Sequence, residues 1–566
     1  MPSHSHTGAS EIRGGGFLDN PPDTGNARLQ VFTPEDFSEE QLMIRDLASR
    51  FVEDEVLPEQ PRIERQEWDV TINLMRRAGE LGLLGVELPE QYGGSGMGRV
   101  SAMIVAEQMA RVMSFSVSCG GQSGIGALPI LYFGTEELRT KYLASICSAE
   151  TLTAYALSEA GSGTDAMAAK ATATQSPDGS HWILNGEKMW VTNAAFADVF
   201  ITFAKVDGKR FSCFLVERSY AGVTTGAEEH KMGLKGSSTR PVVLVDVPVP
   251  IGNLIGEVGR GHEVAFNILN IGRTKLAAGA VGASRTAQRD AIQYAKQRIA
   301  FGKPIASFGA IQHKLAEMAI RIWVTEAMVY RTANLMDQAI HDVPVEDRAR
   351  TIPAMKEYAV ECSIVKVFGS ETLDYVVDEA VQIYGGYGFS ADYPVERYYR
   401  DSRVNRIFEG TNEINRMMIA GMLLKRTPDL AGSALTSGPL AEEAAMLGRL
   451  KQVFRILAAD VSPNAEQEVL LMMADIAIGI YAADTAFHRA RKVVDSGRDP
   501  AVPIAMFRTF LNDEIARIVF AARQVLATTN GASLKERLSE VETLLLWTPL
   551  DTVALRKVVA EHLLAG

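Results

Sequence analysis

Tyr155-Ala156-Leu157-Ser158-Glu159-Ala160-Gly161-Ser162-Gly163-Thr164-Asp165 is where the chain changes its period. Before it, apolar residues recur at helical spacing: Leu42, Ile44, Leu47 and Phe51, then Leu74, Ala78, Leu81 and Leu84. After it come short apolar bursts, as in Val199-Phe200-Ile201-Thr202-Phe203, Phe211-Ser212-Cys213-Phe214-Leu215-Val216 and Pro241-Val242-Val243-Leu244-Val245. Pro177-Asp178-Gly179 is a turn signal between two such strands. Beyond Gly261 the helical spacing returns and persists to Leu424. The chain therefore reads helices, sheet, helices. That order predicts an α+β fold, with a middle β domain (152–262) set between an N-terminal helical bundle (31–151) and a C-terminal four-helix bundle (263–428).

The ends read differently. Residues 1–30 have the composition of a flexible tail. Glu11, Asp19 and Asp23 set against Arg13 are too acidic for a mitochondrial transit peptide. Residues 429–440 read as a linker by their small and polar composition, and 441–566 as a further helical domain, for example Val469 to Tyr481.

At 566 residues the chain is too long for one core. Hydrophobic content of 47% and charged content of 22% are those of a soluble globular protein. A net charge of −12 argues against nucleic-acid binding. Cys119, Cys147, Cys213 and Cys362 are scattered, which predicts a reducing compartment and no disulfide framework. The prokaryotic cytoplasm suits this, or alternatively the mitochondrial matrix. The nine histidines show no ligand-like spacing, so no metal site is expected. No unbroken run of about eighteen apolar residues exists, and no transmembrane segment is expected.

Two stretches carry chemistry. The Gly161-x-Gly163 turn, with hydroxyls at Ser158, Ser162 and Thr164, exposes N–H and O–H donors. Such a surface suits a pyrophosphate or the edge of a flavin ring. The second stretch is Arg406-Ile407-Phe408-Glu409-Gly410-Thr411-Asn412-Glu413-Ile414. Apolar neighbours desolvate Glu409 and raise its pKa toward that of a general base. Gly410 lets a ligand or another backbone approach closely. The alternative is a Glu409 that caps a helix or pairs with Arg406 or Arg416.

Three further blocks join these: Asn185 to Asn193 with its Trp190-Val191-Thr192, Arg298-x-x-Phe301-Gly302-Lys303, and Gln382-Ile383-Tyr384-Gly385-Gly386-Tyr387-Gly388-Phe389. In this order, from about residue 35 to 428, they resemble the acyl-CoA dehydrogenase family. With its extension, the layout resembles the very-long-chain branch. The resemblance implies FAD, α,β-dehydrogenation of an acyl-CoA, electron-transfer flavoprotein as acceptor, and a homodimer. It makes Glu409 the base, and its backbone N–H, with a ribityl hydroxyl of the flavin, the donors that polarise the thioester carbonyl. It implies that Tyr155, Leu157, Ser158 and Thr164 contact FAD, with Trp190, Val191 and Thr192 on the other side and Thr411 and Glu413 completing the contacts. Arg298 and Phe301 reach the FAD of the neighbouring subunit, and Gln382, Gly385 and Gly386 allow close approach to it. Thr164, Asn270, Arg273 and Gly410 contact substrate. Ala160 and Ala300 depart from the common family residues, whereas Asn270 is the form of the very-long-chain branch. Gly124, Gly126 and Ala127 fall where the acyl pocket closes, which predicts room for a medium to long chain; close helix packing is the other use of such residues.

Two other readings stay open at this point. One is an oxidase-like relative; a nitroalkane oxidase would carry Asp in place of Glu409. The other is a flavin-retaining protein without activity. A DNA-associated relative should have a basic C-terminal domain, but 441–566 is close to charge-balanced. An assembly factor remains the form of this reading that the sequence permits.

Overall fold

Ser38 starts the first helix by accepting the Gln41 N–H while the Gln41 side chain accepts the Ser38 N–H, a reciprocal cap. The computed structural model describes residues 31–425, 438–529 and 531–566. The expected tail and residues 429–437 of the expected linker lie outside the described residues. The N-terminal domain comprises α1 (Glu39–Phe51), α2 (Leu57–Glu64), α3 (Trp68–Glu80), α4 (Gly98–Met109), α5 (Met113–Gly120), α6 (Ala127–Phe133) and α7 (Glu136–Cys147). Leu81 and Leu84 continue the apolar pattern of α3 but lie past its end. Between α5 and α6, Gly121–Gly126 is a π turn. Its wider ring inserts an extra residue and rotates everything that follows.

The β domain is one sheet of β1 (Thr153–Ala156), β2 (Thr172–Gln175), β3 (His181–Thr192), β4 (Val199–Val206), β5 (Arg210–Glu217), β6 (Val223–Thr225), β7 (Thr239–Pro250) and β8 (Leu254–Ile255). Its order is β6-β7-β3-β2-β4-β5-β8, and β1 pairs parallel with β4, Thr153 opposite Val199. Asp178 closes the β2–β3 turn by accepting the Ser180 N–H and the Ser176 hydroxyl. The register of β3 against β7 slips between Lys188 and Val191. The slip puts Trp190 in the left-handed region, φ +55°, and turns its indole out of the sheet.

Helix α8 (Gly261–Gln297) follows, 37 residues long. A two-stranded ribbon, β9 (Ile299–Ala300) and β10 (Lys303–Pro304), interrupts the helical run expected from 263 onward. Phe301 (φ +50°) and Gly302 (φ +80°) form its turn, the geometry that a two-residue hairpin needs. Next come α9 (Gly309–Ile340), α10 (Arg348–Glu357), α11 (Ala359–Tyr384), α12 (Pro394–Ser402) and α13 (Asn412–Leu423). The main bundle forms where α8 packs on α11, α9 and α4.

The extension is helical as expected: α14 (Ala441–Asp460), α15 (Gln467–Asp495), α16 (Ala501–Thr529), α17 (Leu534–Leu544) and α18 (Thr552–Ala565). It docks through buried charge. Asp484 of α15 accepts from Arg331 of α9 and from Lys451 of α14, each at 2.8 Å. An eighteen-residue window of α15 is long and apolar enough to cross a membrane, although 83% of that window is buried inside the fold.

Candidate active site

Glu409 and Gly410 both have left-handed backbone, φ +57° and +81°. A glutamate does not hold that conformation unaided. Arg273 of α8 donates to the Glu409 carbonyl at 3.1 Å. Lys366 of α11 and Asn415 of α13 each donate to the Gly410 carbonyl at 2.8 Å. Thr411 then accepts the Ile414 N–H and starts α13.

These clamps turn the Glu409 carboxylate against Gly272 of α8. A Cβ built on Gly272 would stand 3.0 Å from Glu409 Oε2, so a side chain there would crowd the acid. Oε2 is buried and has no hydrogen-bond partner. Burial raises the Glu409 pKa above the usual carboxylate range, against the opposing pull of Arg273 and Lys366. Neither expected rival partner is near: Arg406 pairs with Asp374 at 2.8 Å, and Arg416 with Glu371 and Asp475 at 2.7 Å. The acid is therefore held for a group outside the chain.

Glu409 and Phe408 close one end of a cavity of about 180 Å³ between α4, α5 and α8. One wall follows α8 from Gly272 past Lys275 and Leu276 to Gly279 and Ala280, positions that share a face. The opposite wall is α4, with Ala106, Met109 and Ala110. The two helices converge at Gly282, where a Cβ would overlap the Glu107 carbonyl. Gly120, Gly121 and Gly124 line the cavity, but Gly126 and Ala127 do not. A Cβ on Gly126 would collide with Thr153 Oγ1 and the Gly121 carbonyl. The extra residue of the π turn has rotated it onto β1.

Thr192 lines the same cavity. On its outer side Trp190 is 58% exposed, and Gly161, Gly163 and Thr164 are exposed in the turn after β1. Leu157 and Ser158 are half-buried beside them. The Tyr155 hydroxyl is buried without a partner. Burial raises its pKa first, and the charge of Glu409 adds to that. Two expected contacts need correction. Val191 is buried in the core of the sheet and presents no side chain to the surface. The Ser162 hydroxyl donates to the Ala166 carbonyl at 3.3 Å and is not offered outward.

Asn270 and Arg273 are buried together, Arg273 donating to Asn270 Oδ1 at 2.9 Å and to Ser363 at 3.3 Å. Glu413 is exposed in the first turn of α13, and its own backbone N–H leads the lowering of its pKa.

The remaining expected contacts gather elsewhere. Arg298, Gly385 and Gly386 line an open cleft with Tyr294, Tyr384 and Tyr387. The Arg298 guanidinium lies 5.5 Å from the Tyr387 ring centroid. Built Cβ atoms on Gly385 and Gly386 would meet nothing within 4 Å. Gln382 is exposed there, and Phe301 is 95% exposed. Arg298 follows Gly272 by 26 residues, so a rise of 1.5 Å per residue puts it roughly 39 Å along α8. No residue lines both the cleft and the Glu409 cavity.

The acyl-CoA dehydrogenase N-terminal domain model matches residues 38–150, the middle domain model 154–247, and two C-terminal domain models 259–424 and 461–542. A probable acyl-CoA dehydrogenase of Bacillus subtilis (strain 168) is 42% identical over 97% of both chains. The chain belongs to the acyl-CoA dehydrogenase family. The mitochondrial very long-chain specific acyl-CoA dehydrogenase of Macaca fascicularis is 35% identical, over 75% of this dehydrogenase and 70% of that protein. The crystal structure of an acyl-CoA dehydrogenase complexed with FAD from Bacillus anthracis superposes with a TM-score of 0.93 at 44% identity, covering 98% of each chain.

FAD is the cofactor of this dehydrogenase, and the surface beside Thr192 fits it. A bare glycine turn offers N–H groups, Thr164 a hydroxyl, and Trp190 an exposed ring face. Two residues that hold this surface escaped the sequence reading. Lys188 is fully buried, 2.6 Å from Glu159 and 3.2 Å from the Leu157 carbonyl. Glu159 also accepts the N–H groups of Lys170 and Ala171. The pair pins the turn at both ends.

Proposed function

We propose that this dehydrogenase oxidises medium- to long-chain acyl-CoA thioesters, with Glu409 as the base and electron-transfer flavoprotein as the acceptor. The observation that carries the reading is the Glu409 Oε2, buried at the end of a largely apolar cavity with no hydrogen-bond partner among the described residues, while Arg406 and Arg416 pair with other acids.

Glu409 removes the α-proton of the thioester. FAD, when bound, accepts the hydride from the β-carbon. A proton beside a thioester is weakly acidic, so its removal needs the carbonyl polarised. The Glu409 N–H serves as a donor to it, and Arg273 and Lys366 fix the two peptide units that follow it through the carbonyls of Glu409 and Gly410. Thr164, Asn270, Arg273 and Gly410 form the thioester end of the site, Asn270 by orienting Arg273. Leu157, Ser158, Trp190, Thr192 and Thr411 would hold the flavin, with Tyr155 and Glu413 completing its contacts. The acyl chain runs between α4 and α8. The eight helical steps from Gly272 to Ala280 span about 12 Å of slot, which supports more than a short chain.

The distance from Gly272 to Arg298 supports a homodimer in which Arg298, Phe301, Gln382, Gly385 and Gly386 serve the partner's cofactor. Four free, buried cysteines support a reducing compartment, the prokaryotic cytoplasm.

The test is anaerobic reduction of the bound flavin by a ladder of acyl-CoA lengths, in the wild-type protein and in Glu409→Gln. Gln keeps size and hydrogen bonding, so FAD should stay bound. The rate should fall by about a hundredfold or more, as for loss of a general base. A variant that keeps more than about a tenth of the rate removes Glu409 from this role.

A further inference from the structure

One wall of the acyl slot is charged. Lys275 forms an ion pair with Glu87 inside the cavity, their side chains 12% and 3% exposed. Lys275 lies three residues beyond Gly272, about 4.5 Å along the axis of α8, and the slot continues past it to Ala280. A Cβ on Gly124 would stand 3.7 Å from the Lys275 Nζ. The ammonium thus lies over bare helix backbone, open to the slot. Neither partner is fully used. Glu87 Oε2 is buried with no hydrogen-bond partner, and Lys275 has Glu87 as its one hydrogen-bond partner among the described residues. An ammonium carries three donors and a carboxylate about four acceptor sites. Such a pair in an apolar slot is costly unless its remaining hydrogen bonds are made.

We propose that Glu87 and Lys275 form a subsite for a hydroxyl group on the acyl chain, so that the dehydrogenase takes hydroxyacyl-CoA thioesters hydroxylated beyond the reacting carbons. This rests on the reading above, in which the acyl chain fills this cavity. A hydroxyl both donates and accepts: it donates a hydrogen bond to Glu87 Oε2 and accepts one from Lys275. A carboxylate at the chain end can meet Lys275 but faces the charge of Glu87. A plain methylene leaves both groups unfilled. Glu87 also separates the slot from a surface cleft lined by Tyr132, Ile340 and Val345. As a partition alone, the pair would not distinguish one acyl chain from another.

The experiment uses the FAD-loaded full chain. kcat/KM is measured for dodecanoyl-CoA, for its mid-chain and terminal hydroxy isomers, and for dodecanedioyl-CoA. At least one hydroxy isomer should match or exceed the plain chain, and the dioate should be the poorest. The double variant Glu87→Leu, Lys275→Met removes both charges together and should shift the ratio toward the plain chain by roughly tenfold or more. The subsite is overturned if every hydroxy isomer is disfavoured in the wild-type protein, if the dioate is preferred, or if the ratio is the same in the variant. Should the variant fail to hold FAD, the wild-type ranking decides. No turnover of plain dodecanoyl-CoA would instead count against the chain-length reading on which the subsite rests.

Discussion

Lys366 donates to the carbonyl oxygen of Gly410 at 2.8 Å, and the same ammonium donates to Asn412 Oδ1 at 2.8 Å. It thus holds the first and third residues after Glu409, whose own left-handed backbone a glutamate would not adopt alone. No carboxylate lies within ion-pair distance of it among the described residues, and burial pulls its pKa down to about 7. Lys366→Met keeps the length and apolar stem of the side chain and loses both hydrogen bonds. Flavin reduction should slow by about ten- to a hundredfold through misplacement of the base. FAD content should be unchanged, and KM should move less than kcat. A rate equal to wild type would show that Arg273 and Asn415 suffice.

The pH profile follows from the same cluster. Glu409 acts only when ionised, and burial has raised its pKa. Flavin reduction should therefore be complete at high pH and be lost as pH falls through a value above the 4.5 of an ordinary glutamate. The Lys366 cation opposes that rise. Removing it in Lys366→Met should move the acid limb to still higher pH. Single-turnover rates across the acid range give both curves; a limb that stays in place would detach the lysine from the titration.

Lys188 and Glu159 bear on cofactor binding. Breaking a buried pair by removing one partner costs about 3–5 kcal/mol, because it strands the other charge. Lys188→Met should lower the melting temperature and release FAD during gel filtration. Adding Glu159→Leu to it should recover part of the stability but little of the FAD, since the turn at Gly161 is still unpinned. Full recovery of FAD in the double variant would contradict this.

How much of this was legible in the sequence follows from what each signal depends on. The change of period at Tyr155 placed the β domain, because alternation and helical spacing survive any tertiary arrangement. Glu409 stood out through the ordered blocks around it, since an acid between Phe408 and Gly410 taken alone reads equally as a solvated helix end. Lys188 and Lys366 were silent, since a lysine on a helix or strand reads as a solvated charge until its neighbours are known. Of the small residues expected at the acyl pocket, Gly124 lines the cavity and Gly126 and Ala127 do not, for a definite reason. The π turn at Gly121–Gly126 adds one residue, which rotates the helix by about 100°. Gly126 is thereby turned onto β1, while Gly124 stays in the cavity wall.

Arg298 supplies the test of assembly. The full chain should sediment as a dimer, and Arg298→Ala should weaken FAD binding while leaving the Glu409 cavity of its own chain intact. Mixing it with Glu409→Gln under conditions that exchange subunits should restore one working site per heterodimer: the one whose base lies in the Arg298→Ala chain and whose arginine comes from the partner. A monomer with full FAD occupancy would sink the arrangement.

The length of the acyl chain should answer to Gly124. Its backbone φ is not left-handed, and a Cβ there would make ordinary contacts of 3.6 and 3.7 Å with Lys275. A larger side chain therefore fits by extending into the slot. Each methylene of substrate it displaces from apolar contact removes roughly 0.8 kcal/mol of binding. Gly124→Leu should leave short thioesters nearly unaffected and lower kcat/KM for palmitoyl-CoA by about ten- to a hundredfold relative to butyryl-CoA. Gly126→Leu should behave differently, because its Cβ would overlap Thr153 Oγ1. That variant should lose stability and FAD at every chain length and leave the preference where it was. A uniform loss for Gly124→Leu, or a shift in preference for Gly126→Leu, would show that the slot does not run between α4 and α8 as described.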